Sequence, residues 1–344
     1  MTATPDRPSA EPAVPVARRA RLEVSLGLWQ DRPPIEVLRT AAIADSLGYP
    51  AVWVGEMATW DAFVLGAHIG SRFDNSDLVL GPFAVNVRDP AMIAMGAASV
   101  SALTGRGVSV ALGTSSDVVV QQWHGRRRER PGQALIESAQ AVRALLDGSK
   151  AELDGQVVRT SGYRLRLAPP KSELVIAAFG RQAIAAAAQH ADRMVLNLID
   201  PPTVGKLVAT LREAAERCHR PVPRVAVWTS CAVDPGPAAS DQLRRGVVGY
   251  LAAPGYSEIF RRAGFGDLVD YAKGRPHPSD LLKRVPPEIN EVLGLHGDAD
   301  TVAARIKEYA AAGADDVVIV PSATDDDPAG EHTLRMAAQI SAQL

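Results

Sequence analysis

The chain has 344 residues, 47% of them apolar, with a formal net charge of −2. That length suits one large α/β domain or two smaller ones. The charge balance argues against a general nucleic-acid or membrane-surface binder, and no run of eighteen apolar residues offers a transmembrane helix.

Residues 1–20 are rich in Pro, Ala and Arg and have no apolar signal core, so a disordered tail is expected. Eight strands then follow from apolar runs: Leu22–Leu28, Ala51–Gly55, Leu78–Val85, Gly107–Leu112, Leu174–Ala178, Arg193–Leu196, Arg224–Ala232 and Asp316–Val320. Most are near-continuous stretches of Val, Leu and Ala, as parallel strands buried on both faces require. Helices are expected between them, at Ile35–Leu47, Pro90–Leu103, Pro131–Leu146, Ile184–His190, Pro202–Cys218 and Asp300–Ala312. Gly48 and Gly313 serve as stop signals. Right-handed βαβ crossovers repeated over eight strands predict a single (β/α)₈ TIM barrel across 21–344. A doubly wound sheet would announce itself with G-x-G-x-x-G after the first strand. Trp29-Gln30-Asp31-Arg32-Pro33-Pro34 stands there instead.

Two stretches interrupt the alternation. Around Asp154-Gly155, β-prone pieces predict a small hairpin before the fifth strand. Residues 234–296 read as weak helices scattered with Pro and Gly, an insertion at the C-terminal face suited to a lid or substrate wall.

The most informative stretch is Leu174–Asn197. A strand runs into Gly180 with almost no loop, and an alanine-rich helix follows. Gly180, Arg181 and Gln182 thus fall at a helix N-terminus, where free N–H groups and the positive end of the dipole favour a phosphate. Arg181 adds a guanidinium. Ala178, Phe179, Gly180 and Arg181 are the expected phosphate contacts.

Several segments together resemble the luciferase-like monooxygenase superfamily, and within it the branch using the deazaflavin coenzyme F420. They are Ala41–Glu56, Arg88-Asp89-Pro90-Ala91, Leu103–Gly107, Ala111–Ser116, Trp123-His124-Gly125, the strand–Gly180–helix unit and Gly297–Val320. The resemblance covers roughly residues 22 to 322. It implies a barrel with deazaflavin or flavin chemistry at the strand C-termini, a small organic substrate and a homodimer. In several members the second strand ends in an acid followed by His. Here the pair is Glu56-Met57, so the acid is kept and the imidazole is absent.

Glu56 is therefore a candidate general acid or base, expected near an apolar ring with its pKa raised; a bond to backbone or to an Arg is the structural alternative. His124 is the histidine nearest the predicted face, equally readable as a surface residue. Gly113, Thr114 and Ser115 are expected at the cofactor, or as caps of the next helix. Phe83 and Ala84 fall where the family often has a non-proline cis bulge behind the ring, and Asn86 is expected in the pocket. Trp29, Trp60, Trp123 and Trp228 suggest a lined pocket, with Met57 packing against cofactor or substrate. The run Arg126-Arg127-Arg128 reads first as a solvated face.

Other chemistries find no support. Gly205-Lys206-Leu207 lacks the pattern of a P-loop, no HxH, HExxH or CxxC spacing suggests a metal, and no G-x-S-x-G elbow occurs. Cys218 and Cys231 are the only cysteines and read as reduced cytosolic thiols. The expectation is a cytoplasmic oxidoreductase holding F420, with an FMN-dependent monooxygenase or a non-catalytic flavin-binding barrel as alternatives.

Overall fold

A computed structural model describes residues 19–56, 58–170, 172–253 and 255–344. The expected tail therefore lies, except for Arg19 and Ala20, outside the described residues, as does Met57.

Eight parallel strands close into a barrel: β1 (Arg21–Ser25), β2 (Ala51–Val54), β3 (Asp77–Ala84), β4 (Val108–Gly113), then, after a hairpin of β5 (Ala151–Asp154) and β6 (Arg159–Tyr163), β7 (Leu174–Ala177), β8 (Arg193–Asn197) and β9 (Arg224–Val233). A short β10 (Leu295–Gly297) pairs on the last three residues of β9, and β11 (Asp316–Pro321) joins β9 to β1. Pairing of β8 with β9 completes the ring. Continuous burial follows from the two-sided packing. Leu174 and Ile176 of β7 face the outer layer, while Val175 meets Val79, Ala111, Val195, Ala226 and Val318 inside the barrel.

The helices are α1 (Glu36–Ser46), α2 (Ala62–Gly70), α3 (Pro90–Thr104), α4 (Pro131–Leu146), α5 (Arg181–His190) and α6 (Pro201–Arg217), then α7 (Pro237–Val248), α8 (Tyr256–Arg262), α9 (Gly266–Lys273), α10 (Pro278–Arg284), α11 (Asn290–Leu293), α12 (Ala299–Ala311) and α13 (Glu331–Gln343). Aspartates start several of them. Asp61, Asp89, Asp200 and Asp298 each accept a backbone N–H of the first turn, satisfying orphan donors. None of the described helices is long and apolar enough to cross a membrane.

All eight expected barrel strands are present, with shifted ends. β1 stops at Ser25, and Leu28 takes a positive φ of 45° in the loop beyond. Three elements lay outside the sequence reading: α2, α13 and β10. Segment 234–296 carries α7 to α11, and Ile259, Phe260, Val269, Leu281, Ile289 and Leu293 bury its own apolar layer against the barrel.

The N-terminal half of the barrel interior is plugged by charge. Arg193 donates from Nη1 to Glu23 at 2.9 Å and to Asp316 at 3.2 Å, and its guanidinium lies 5.1 Å from the Trp53 ring centroid. Trp53 Nε1 donates to Glu23 at 2.6 Å. All are buried. Such a plug is stable only because every charge has a partner, and it leaves the opposite, C-terminal end as the place for a ligand.

Candidate active site

The floor of the C-terminal mouth is made of small residues. A Cβ added to Gly113 would stand 3.3 Å from the Pro82 Cβ and 3.6 Å from that of Ala177, and one added to Gly55 would meet Trp228 at 3.7 Å. Trp228 itself leans on Trp53, ring centroids 5.6 Å apart at 49°. Together these give the base of the mouth an apolar surface of small residues beside one indole. The irregularity of β3 lies between Leu80 and Phe83, with a cis Gly81–Pro82 bond. It sits two residues before the Phe83-Ala84 position expected. Phe83 is fully buried and stacks on Phe63 of α2 at 4.6 Å, in the outer layer rather than over the mouth. Asn86, just beyond β3, has a buried Oδ1 without a hydrogen-bond partner.

Glu56, two residues past the end of β2, stands in an ion pair, not in apolar surroundings. Arg88 Nε donates to Glu56 Oε2 at 2.8 Å, and Arg88 Nη2 donates to both Glu56 Oε1 and Asp61. The Ala62 amide reaches Glu56 Oε1 at 3.4 Å. The guanidinium lies over Phe63 and Phe83, at 5.2 and 5.6 Å from their centroids. Pairing with Glu56 first, then Asp61, holds Arg88 above its ordinary pKa against the effect of burial. Burial pushes Asp61 up, but the Val64 amide and Arg88 more than offset it and keep it below the usual range. Glu56 thus has a second acid beside it, which the sequence alone does not reveal.

Across the mouth, β7 is followed by Ala178 and Phe179, and Gly180 is the N-cap of α5 with ordinary extended angles and no side-chain cap. A Cβ there would meet nothing within 4 Å. The first turn of this ten-residue helix is left without a side-chain cap, with open space beside Gly180 and the exposed Arg181 at the same turn. Thr114 and Ser115 flank this turn at the end of β4; Ser115 has a φ of 53°, and Arg128 Nη2 donates to its carbonyl at 2.9 Å. Gly132, which opens α4, touches Gln182, so the two helix starts are neighbours.

The third side is aromatic. Asn197, at the end of β8, donates from Nδ2 to the hydroxyls of Tyr250 and Tyr256, both at 3.4 Å, and Tyr256 donates to the Asn197 carbonyl at 2.9 Å. Tyr256 packs on Phe179 at 5.0 Å and on Tyr250 at 4.9 Å. Burial, with Tyr250 alongside, raises the Tyr256 pKa above its ordinary value. Gly255 lies against the Phe179 ring with φ 87°. Only glycine makes that approach without strain.

The tryptophans are dispersed. Trp29 donates to the Pro321 carbonyl at 2.9 Å and packs near Ala239 and Leu243, and Trp60 donates to the Pro34 carbonyl at 3.0 Å. Both stand at the rim on the β1 side. Trp123 and His124 are exposed at the end of a π-helical turn, Val118–Trp123. Arg126 and Arg127 are exposed, and Arg127 pairs with Glu129. Among the described residues no group of three or more His, Cys, Asp or Glu is placed to hold a metal.

The Luciferase-like monooxygenase family model matches residues 16–316. The chain belongs to that family. A Mycobacterium tuberculosis protein named as a coenzyme F420-dependent oxidoreductase is 23% identical over 338 residues, covering 89% of this chain and 96% of its own length. The coenzyme F420-dependent tetrahydromethanopterin reductase from Methanopyrus kandleri superposes with a TM-score of 0.79 at 18% identity, over 93% of this chain and 98% of that one. The oxygenating constituent of 3,6-diketocamphane monooxygenase from Pseudomonas putida, in complex with FMN, gives a TM-score of 0.67 at 18% identity, over 94% and 98%. The luciferase-like barrel described above is the fold these proteins share.

Proposed function

We propose that this luciferase-like chain is a cytoplasmic F420-dependent oxidoreductase acting on a small organic substrate. The carrying observation is the open N-terminus of α5 at Gly180, at the same end of the barrel as the apolar floor of Gly55, Gly113, Ala177 and Trp228. The residues present fit a phosphorylated flavin-like group: the turn offers unused N–H donors for a phosphate, and the buried, unpartnered Asn86 Oδ1 is an acceptor awaiting a donor. When bound, the coenzyme supplies hydride chemistry at C5 of its ring. The protein's own tasks are then to hold the phosphate at Ala178–Arg181, support the ring on the floor, and exclude water with Phe179, Tyr250 and Tyr256. Arg88 ties Glu56 in place at the opposite wall, so Glu56 acts as a fixed charge and acceptor at the substrate side.

The F420-dependent names among the relatives and solved structures support this reading over FMN. The FMN-bound monooxygenase on the same fold sustains the second one. Two free cysteines accord with a reducing compartment. The test is titration of the purified chain with F420 and with FMN, followed by fluorescence. Tighter binding of F420, and its reduction or oxidation with a substrate panel, is the expected outcome. Preference for FMN with oxygen consumption would establish the second reading.

A further inference from the structure

The inner wall of β8 changes character along its length. Side chains alternate along a strand, so Arg193, Val195 and Asn197 share one face. Arg193 belongs to the charged plug and Val195 to the apolar cluster inside the barrel. Asn197 comes next, in register with Trp228 of β9, and sets an amide beside the apolar floor of Gly55, Gly113, Ala177 and Trp228. Two tyrosines from the segment after α7 meet this amide, and their hydroxyls are spent differently. A phenol has one proton to donate and lone pairs to accept with. Tyr256 uses both: its oxygen accepts from Asn197 Nδ2 at 3.4 Å, and its proton goes to the Asn197 carbonyl at 2.9 Å. Tyr250 also accepts from Nδ2 at 3.4 Å, but no described residue accepts its proton. Asn197 Oδ1 has no donor among the described residues either. Both side chains are half-buried. An unspent donor and an unspent acceptor are thus joined through one amide at the mouth, where leaving them unpaired beneath a ligand is costly.

We infer that Tyr250 and Asn197 anchor the substrate through one oxygen, and that the substrate class is an uncharged ketone or aldehyde together with the corresponding alcohol. The inference rests on the oxidoreductase reading above, whose substrate it names. A carbonyl oxygen accepts the Tyr250 proton and needs nothing more. The alcohol, which differs by a hydride and a proton, uses both groups: its oxygen accepts from Tyr250 and its hydroxyl hydrogen goes to Asn197 Oδ1. One anchor therefore holds either partner of the pair. Charge narrows the class. Arg88 on the opposite wall is shared by Glu56 and Asp61, which leaves that wall net negative, so an anionic substrate meets repulsion instead of a counter-ion. An ammonium group has no lone pair for the Tyr250 proton. Tyr256 is the support of the anchor. Its 2.9 Å bond and its packing on Phe179 at 5.0 Å fix it against the barrel, while the long bond from Nδ2 to Tyr250 is weak and leaves that hydroxyl free to turn toward a ligand.

The test compares binding of cyclohexanone with that of methylenecyclohexane, which has the same shape with a CH₂ in place of the oxygen. Both are titrated by calorimetry into the full chain, with oxidised F420 and without it, so that no hydride can pass. Tyr250→Phe is expected to weaken cyclohexanone about tenfold, the worth of one hydrogen bond, and to leave methylenecyclohexane unchanged. The infrared carbonyl stretch of bound cyclohexanone is expected at lower frequency in wild type than in Tyr250→Phe, a signature that lost packing does not produce. Tyr256→Phe removes the support, so it should weaken both probes alike. Asn197→Asp keeps every hydroxyl but offers a carboxylate to the Tyr250 proton. It should erase the preference for cyclohexanone as Tyr250→Phe does, and it takes that variant's place should Tyr250→Phe fail to fold. Equal weakening of the two probes by Tyr250→Phe, or a carbonyl stretch indifferent to it, overturns the inference. So does failure of both cyclohexanone and 2-octanone to bind. A chain that holds cyclohexanone through Tyr250 yet does not bind F420 would keep the anchor and overturn the coenzyme reading instead.

Discussion

Arg88 and Glu56, 32 residues apart in sequence, are locked together by two hydrogen bonds from one guanidinium, with Phe63 and Phe83 packed beneath it. Each partner is about four-fifths shielded from solvent, so removing one leaves the other poorly hydrated and unpaired. Glu56→Gln and Arg88→Gln are each expected to cost about 1–3 kcal/mol of stability, and the double variant less than their sum. Turnover should fall in both variants far more than coenzyme affinity, because the pair stands opposite the phosphate turn. Denaturant midpoints and coenzyme titrations on the four proteins decide this. Additive losses, or coenzyme affinity falling as much as turnover, would remove the pair from the substrate wall.

This pair marks where sequence reading stops. The barrel was legible because buried parallel strands are written as continuous apolar runs, such as Leu174–Ala177. The turn at Gly180 was legible because strand, glycine and helix follow without a gap. Arg88 was visible only as part of a segment opening a helix; its partner is set by how β2 and β3 lie side by side. α2 escaped because a helix apolar on both its inner and outer faces carries no 3.6-residue alternation of charge. Without α2 its cap, Asp61, had no meaning, and the second acid beside Glu56 went unseen. The cluster of Tyr250, Tyr256 and Asn197 depends on helices of segment 234–296, whose arrangement no local pattern encodes.

Gly180→Asp is expected to separate stability from binding. Nothing stands within 4 Å of the missing Cβ, and Gly180 has ordinary extended angles. An aspartate there becomes an N-cap for α5, so stability should hold or rise by a few tenths of a kcal/mol. The same carboxylate occupies the amide donors and repels a phosphate. Affinity for a phosphorylated coenzyme should drop at least about tenfold, a loss near 1.4 kcal/mol. A stable variant with unchanged affinity would move the phosphate away from this turn.

Glu137 on α4 holds the β5–β6 hairpin and gives a pH signature. It accepts the amides of Gln156, Val157 and Val158 at 2.7–2.9 Å and the Gln133 side chain at 2.8 Å. Burial would raise its pKa, yet these donors outweigh burial and bring it down to about 2 from 4.5. A depressed folded pKa means stability present above the unfolded value and lost as pH falls. The contribution, on the order of 3 kcal/mol, should therefore fade between pH 4.5 and 2. Glu137→Gln should be less stable than wild type at pH 7 by about 1–3 kcal/mol. That gap should narrow at pH 3, measured by urea unfolding. A gap independent of pH would show that the hairpin is held by packing instead.

The aromatic side of the mouth is expected to respond to ligand. Tyr250 and Tyr256 come from the loop and helix start after α7, and they reach the barrel through Asn197 and Phe179. The two Asn197 bonds to the tyrosine hydroxyls are long, at 3.4 Å, and bonds of that length are weak. The segment's firmer attachments to the barrel are few: the 2.9 Å bond from Tyr256 to the Asn197 carbonyl, the packing of Tyr256 and Gly255 on Phe179, and the buried Leu251. Phe260, one helical turn further on, is fully buried in the core and belongs to the scaffold. Hydrogen exchange should be fast across residues 247–256 in the free chain and slow when coenzyme and substrate are both bound, because closure over a ligand excludes water. The amide of Phe260 should be slow throughout. Gly255→Ala forces a Cβ into the Phe179 ring at a positive φ, so it should detach the segment and abolish the ligand-induced slowing without unfolding the barrel. Exchange already slow in the free wild type, and unchanged by ligand, would make residues 247–256 a rigid wall. The variable part of the site would then lie on the β1 and β2 side, where Trp29 and Trp60 stand at the rim.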